Sequence, residues 1–146
     1  MGLNRSKLRE KTMVILYQIY FYRQSNIEYD VDDVIKENLE IDNDFVKDIV
    51  FGVLEKEEFL DEKINKYIEN WTIDRLGKTD QAILRMSTYE LLFYDTPKIV
   101  SINEGIELAK KYSDEKIVKM VNAILDSIMN NEETNEWEVL WNKWNK

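Results

Sequence analysis

The stretch from Lys78 to Asp95, KTDQAILRMSTYELLFYD, limits what this chain can fold into more than any other. It reads as a helix of about four turns, because apolar residues recur at helical steps. Yet Ala82, Ile83, Leu84, Met86, Tyr89, Leu91, Leu92 and Phe93 cannot share one stripe, and a helix that is hydrophobic all round is buried on several sides. The rest of the chain must therefore wrap around it. Thr79 is the expected N-cap, Asp80 suits the positive end of the helix dipole, and Pro97 blocks simple continuation. Within this apolar post sit Arg85 and Glu90, which are costly to bury unless paired, so a structural polar network is expected there rather than a catalytic site.

Composition removes whole classes of chemistry. The 146 residues include no cysteine and no histidine, which excludes disulfides, thiol nucleophiles, Cys/His zinc sites and Ser-His-Asp triads. Four glycines cannot build a glycine-rich phosphate loop, so no cofactor is expected. Carboxylates on the outer side of the acidic helices read as a solvated face, and no metal site is expected. No apolar run approaches membrane-spanning length and no signal peptide pattern opens the chain; a cytoplasmic protein is expected.

The net charge of -9 conceals a polarised distribution. Residues 1–27 carry five Lys or Arg against one Glu, whereas residues 28–70 carry fifteen acids against five lysines. Screening over about 8 to 10 Å lets an anionic partner approach the basic end without meeting the acidic one. In the first helix, about Asn4 to Gln24, Met13, Leu16, Tyr17, Tyr20 and Phe21 mark a core stripe. Arg5, Lys7, Arg9 and Lys11 crowd its first turns, where the dipole disfavours cations. Those residues suit either phosphate contacts followed by base stacking or an ordinary solvated helix end.

Further helices are expected at Val31–Leu39, from Phe45 to Leu54 with Gly52 admitting a close neighbour, and from Leu60 to about Trp71. Gly77 is placed to adopt a left-handed turn before the central helix. After Pro97, Ser101 and Glu104 form a capping-box pattern, and Ser113 is the expected cap of a last core helix carrying Ile117, Val121, Ile124, Leu125 and Ile128. Asn122 is read as an inward amide with hydrogen-bond partners. Lys110, Lys111, Lys116 and Lys119 gather at the junction of these two helices. The segment 130–146 is an acidic tail in which Glu132, Glu133, Glu136 and Glu138 accompany Trp137, Leu140, Trp141 and Trp144. A helix this short is marginal alone, so the tryptophans should dock on the chain's own body, on a partner or on a second copy. The architecture expected is all-α, about seven helices in two small bundles, roughly 1–71 and 72–129, around the central buried helix.

Three motifs stand in order: AILRMSTYELL, IVSINEGIELAKKYSDEK and KMVNAILDSI. They resemble the NusB family of bacterial transcription antitermination factors, whose pattern reads roughly AxLRxxxYEL, VxINEAxELAK, FVNGxLD. The resemblance spans most of Arg5 to Ile128 and fades in the tail. It departs at Ala123, where the family has glycine, and at Met120, where it has an aromatic residue.

The resemblance implies the same helical fold and a function without catalysis. It implies binding of boxA-type single-stranded RNA of ribosomal RNA leaders, together with the ribosomal protein NusE, within the transcription elongation complex. On this reading Arg5, Lys7, Arg9 and Tyr17, with Lys119 and Met120, form one RNA face, while Asp80, and less directly Asp74, meet the protein partner. A helical protein-interaction adaptor that never touches RNA is the alternative. An RNA cytosine methyltransferase can carry a similar N-terminal domain, but its cofactor domain and cysteine nucleophile are absent from this sequence.

Overall fold

In a computed structural model, which describes residues 3–144 apart from the side chain of Glu136, the described residues form helices joined by short connections, with no strand among them. The helices are α1 (Arg5–Gln24), α2 (Val31–Asn38), α3 (Asp44–Glu55), α4 (Glu57–Tyr67), α5 (Lys78–Phe93), α6 (Lys98–Tyr112), α7 (Glu115–Asn131) and α8 (Glu136–Trp144), with a 3-10 turn at Ile73–Arg75. Seven precede the tail, and the tail supplies the eighth. Local signals start five of them: Asn4, Asp30, Asn43, Asp114 and Asn135 each accept a backbone N–H of the first turn at 2.9 to 3.1 Å. Such a cap contributes about 1 kcal/mol.

Helix α5 is the post that its composition demands. Every residue from Ala82 to Phe93 is buried, and α1, α3, α4, α6, α7 and α8 all pack against it. Its charges are paired as expected. Arg85 donates to Asp61 at 2.6 and 2.8 Å and to Gln81 at 3.1 Å, while Glu90 accepts from Arg9 and from Ser101. Gly52 of α3 faces Tyr89 so closely that an added Cβ would lie 2.1 Å from the ring. A close approach is what this glycine provides.

Several boundaries differ from expectation. Gly77, not Thr79, holds the N-cap position of α5, with ordinary extended backbone at φ -62°; left-handed backbone occurs instead at Asn26 and Asn70. Helix α6 begins at Lys98, so Ser101 and Glu104 lie inside it and form no capping box. Ser101 is buried against Glu90, and Glu104 turns to α1. Asp114 caps α7 in place of Ser113, and α4 stops at Tyr67, leaving Trp71 exposed. Asn122 is exposed and not inward, since α7 buries Val121, Ile124, Leu125 and Ile128.

The tail folds back on the body, but away from the lysines of the α6–α7 junction. Glu132 pairs with Lys63 and Lys66 of α4 at 3.1 and 3.0 Å and accepts from Tyr67, and Glu138 pairs with Lys56 at 3.0 Å. The Asn135 amide donates to the carbonyl of Leu92 at 2.8 Å, and Asn142 donates to that of Phe93 at 2.9 Å. Those are C-terminal carbonyls of α5, which have no partner within their own helix. The tail thus closes the end of the central post.

Candidate nucleic-acid interface

The basic start of α1 divides between three environments. Arg9 is 4% exposed and its guanidinium grips Glu90, with Glu104 3.8 Å away, so it leaves the expected RNA face and becomes part of the core. The cause is electrostatic: a buried carboxylate on α5 needs a cation, and α1 supplies it. Arg5 is exposed at the edge toward α3, its guanidinium 4.1 Å above the Phe45 ring. Lys7 is exposed on the other side, toward α6.

Between α1 and α6 lies an open recess of about 390 Å³, lined by Ser6, Lys7, Glu10, Glu104, Lys110 and Lys111 among others. Glu10 is its hinge point, accepting from Lys111 at 2.5 Å and from the Tyr112 hydroxyl at 2.8 Å. Those two bonds hold Glu10 below the usual carboxylate range, and the same contact raises Lys111 above the usual amine range. Ser6 donates to Glu104 at 2.8 Å on the floor side. Farther along α1, Tyr17 is 42% exposed, two helical turns beyond Glu10 and on the same side.

Lys119 and Met120 project from α7. Lys119 lies 3.9 Å from Glu115 of its own helix, and Met120 is half-buried against the core. The route from α1 to them passes through Lys111, Tyr112 and the α6–α7 turn. Lys110, Lys111 and Tyr112 are the residues that sequence reasoning left out of the site; their signal was the run AKKY in the last turn of α6, where cations also suit the helix dipole. Exposed Asn122 stands one helical turn beyond Lys119, on the solvent side of α7.

The two acidic positions are not equivalent. Asp80, half-buried in the first turn of α5, accepts from the Ser113 hydroxyl and so ties the central helix to the α6–α7 turn. Asp74 is exposed, accepts from Thr72, and edges a separate recess of about 540 Å³ with Arg23, Glu57 and Lys78. Among the described residues, no group of three or more His, Cys, Asp or Glu is placed to hold a metal ion, and no helix is long and apolar enough to cross a membrane.

A helical body in which Lys7, Lys110 and Lys111 line an open groove together with Glu10, Glu104 and Glu107, with Tyr17 and Tyr112 exposed outside it, has the build of a binding protein rather than an enzyme pocket. The NusB family model matches residues 6–130. The transcription antitermination protein NusB of Clostridium tetani is 38% identical over 86% of this chain and 97% of its own length. Among solved structures, T. maritima NusB superposes with a TM-score of 0.79 at 34% identity, covering 94% of this chain and 98% of that one. A crystal structure of the antitermination factors NusB and NusE in complex with dsRNA matches with a TM-score of 0.72 at 28% identity, over 86% of this chain and 96% of that one. The chain belongs to the NusB family.

Proposed function

We propose that this chain is a transcription antitermination factor that binds boxA-type single-stranded RNA of ribosomal RNA leaders jointly with the ribosomal protein NusE, inside the cytoplasmic elongation complex and without catalysing a reaction. The observation that carries the reading is the α1–α6 recess, where Lys7, Lys110 and Lys111 line one groove, Glu10 already holds Lys111, and Tyr112 and Tyr17 are exposed nearby; Glu10, Glu104 and Glu107 share the lining, so the lysines must exchange these carboxylates for phosphate. Lysines would hold phosphates and the rings would stack bases, the division of labour used for single-stranded nucleic acid. Membership of a family in which one relative structure joins NusB, NusE and dsRNA supports the same assignment.

Lys7, Tyr17, Arg5, Lys119 and Met120 are assigned to the RNA, with Lys111 and Tyr112 added and Arg9 reassigned to holding α1 in place. Asp80 and Asp74 are assigned to the ribosomal protein. The unit concerned is residues 1–129, with 130–146 as an appended tail. The test is a binding titration of boxA-type RNA, with and without NusE, at two salt concentrations. Affinity should rise with NusE and fall with salt by a slope of about 0.7 per phosphate contact. Capture of NusE with no RNA binding at either salt concentration would leave the adaptor reading in its place.

A further inference from the structure

Helix α8 is mounted with its apolar stripe outward. Trp137, Leu140, Trp141 and Trp144 follow one another at i, i+3, i+4 and i+7 and form a single face, exposed by 76, 38, 55 and 73%. Its opposite side is bound to the body through Asn135, Glu138 and Asn142. Turning the tryptophans inward would break all three attachments and reopen the end of α5. The exposure is therefore fixed by the fold.

We propose that this stripe is a homodimerisation surface, on which two copies pair their α8 helices antiparallel about a two-fold axis. Against about 250 Å² for a whole tryptophan, the three rings leave roughly 500 Å² open on each copy. Two copies would bury about 1,000 to 1,200 Å², the lower bound of specific interfaces, which fits a dimer that forms at micromolar concentration. The stripe is self-complementary in length: antiparallel pairing sets Trp137 against Trp144 of the second copy and places Leu140 and Trp141 of both copies beside the axis. Charge favours the same direction. Glu133 precedes the helix and Lys143 lies in its last turn, so antiparallel packing brings unlike ends together whereas parallel packing sets Lys143 beside Lys143. RNA is the poorer occupant, because the tail from residue 130 carries four Glu against two Lys.

Sedimentation of the full chain across about 1 to 100 µM tests this, a range matched to a small interface. The mass should double over that range, and Trp141→Glu should stay monomeric with an unchanged circular dichroism spectrum. Because the chain lacks cysteine, Trp137→Cys and Trp144→Cys report the direction: oxidation of their mixture should give a crosslinked heterodimer and neither variant alone should crosslink. Crosslinking of either variant with itself overturns the antiparallel arrangement. A wild-type chain at monomer mass throughout overturns the dimer, and a blue shift of its tryptophan emission on adding NusE would then assign the stripe to that protein.

Discussion

Arg9 of α1 and Glu90 of α5 join across 81 positions of sequence through two hydrogen bonds of 3.0 and 2.6 Å, both side chains withdrawn from solvent. This pair explains part of the cation crowding at the start of α1, since one of the four charges is neutralised inside the protein. Removing one member leaves the other charge buried alone. Arg9→Ala should therefore cost about 3 to 5 kcal/mol in urea unfolding, whereas Arg9→Met with Glu90→Leu should recover most of it. A loss under about 1 kcal/mol for Arg9→Ala would show that water reaches Glu90.

Gly52 is a second point where α5 dictates its neighbour. The Tyr89 ring occupies the volume that a side chain at 52 would need, and Tyr89 is itself held between α3 and the stacked Phe93, 5.2 Å between centroids. Gly52→Ala must displace the ring or the helix. A destabilisation of about 1 to 3 kcal/mol is expected. Gly105→Ala meets the Ser87 hydroxyl at 2.6 Å, Leu125 Cδ1 at 3.1 Å and Ser87 Cβ at 3.3 Å, and adding Ser87→Ala removes the closest of these contacts, so the double variant should be less destabilised than Gly105→Ala alone.

How much of this was legible beforehand depends on the range of the interaction that decides each residue. Helix α5 was readable because its apolar residues occupy every side, and the Arg85 and Glu90 network followed from the cost of unpaired charge. Ser101 and Ser113 were misread as caps because serine before a helical stripe is a local cap signal; their actual partners, Glu90 and Asp80, lie 11 and 33 positions away. Arg9 was misplaced for the same reason. Asn122 was a matter of phase: one residue past buried Val121 is a rotation of about 100°, enough to leave the stripe. The tryptophans were expected to dock the tail on the body, but they stay exposed, and Asn135, Glu138 and Asn142 make the attachment instead.

Glu132 gives the tail a pH dependence with a definite sign. Hydrogen bonds from Tyr67 and Lys66, aided by Lys63, pull its carboxyl down to about 2 from an ordinary value of 4.5. A lowered folded pKa stabilises the docked state fully above the unfolded value and loses that contribution as pH falls from about 4.5 through 2. Glu132→Gln should flatten the acid limb of the stability curve in this window. If melting temperatures of the two proteins run parallel from pH 6 to about pH 2, the clamp does not couple docking to protonation.

Asp80 combines a structural bond with an assigned contact to NusE, and two substitutions separate them. Asp80→Asn keeps an acceptor for Ser113 while discarding the charge. It should leave melting nearly unchanged and weaken capture of NusE. Asp80→Lys should do both harms, losing the bond to Ser113 and adding a cation at the positive end of α5, at about 0.3 to 1 kcal/mol for the dipole alone. Normal capture by the asparagine variant would remove this carboxylate from the partner surface.

The α1–α6 recess makes a prediction in which salt slope and affinity part company. Lys7→Ala should lower the slope of log affinity against log salt by about 0.7 if the cation holds one phosphate, and Arg5→Ala, on the α3 side and outside the recess, tests whether the RNA extends that far. Tyr112→Ala should weaken RNA binding by about 1 to 3 kcal/mol without changing the slope, because a stacked ring releases no counterion. Glu10 competes with phosphate for Lys111, its carboxylate being bonded to both Lys111 and Tyr112. Glu10→Gln should consequently raise affinity and steepen the slope, the opposite of Lys7→Ala. An unaltered slope in Lys7→Ala and Glu10→Gln together would place the RNA elsewhere on the protein, whatever the absolute affinities.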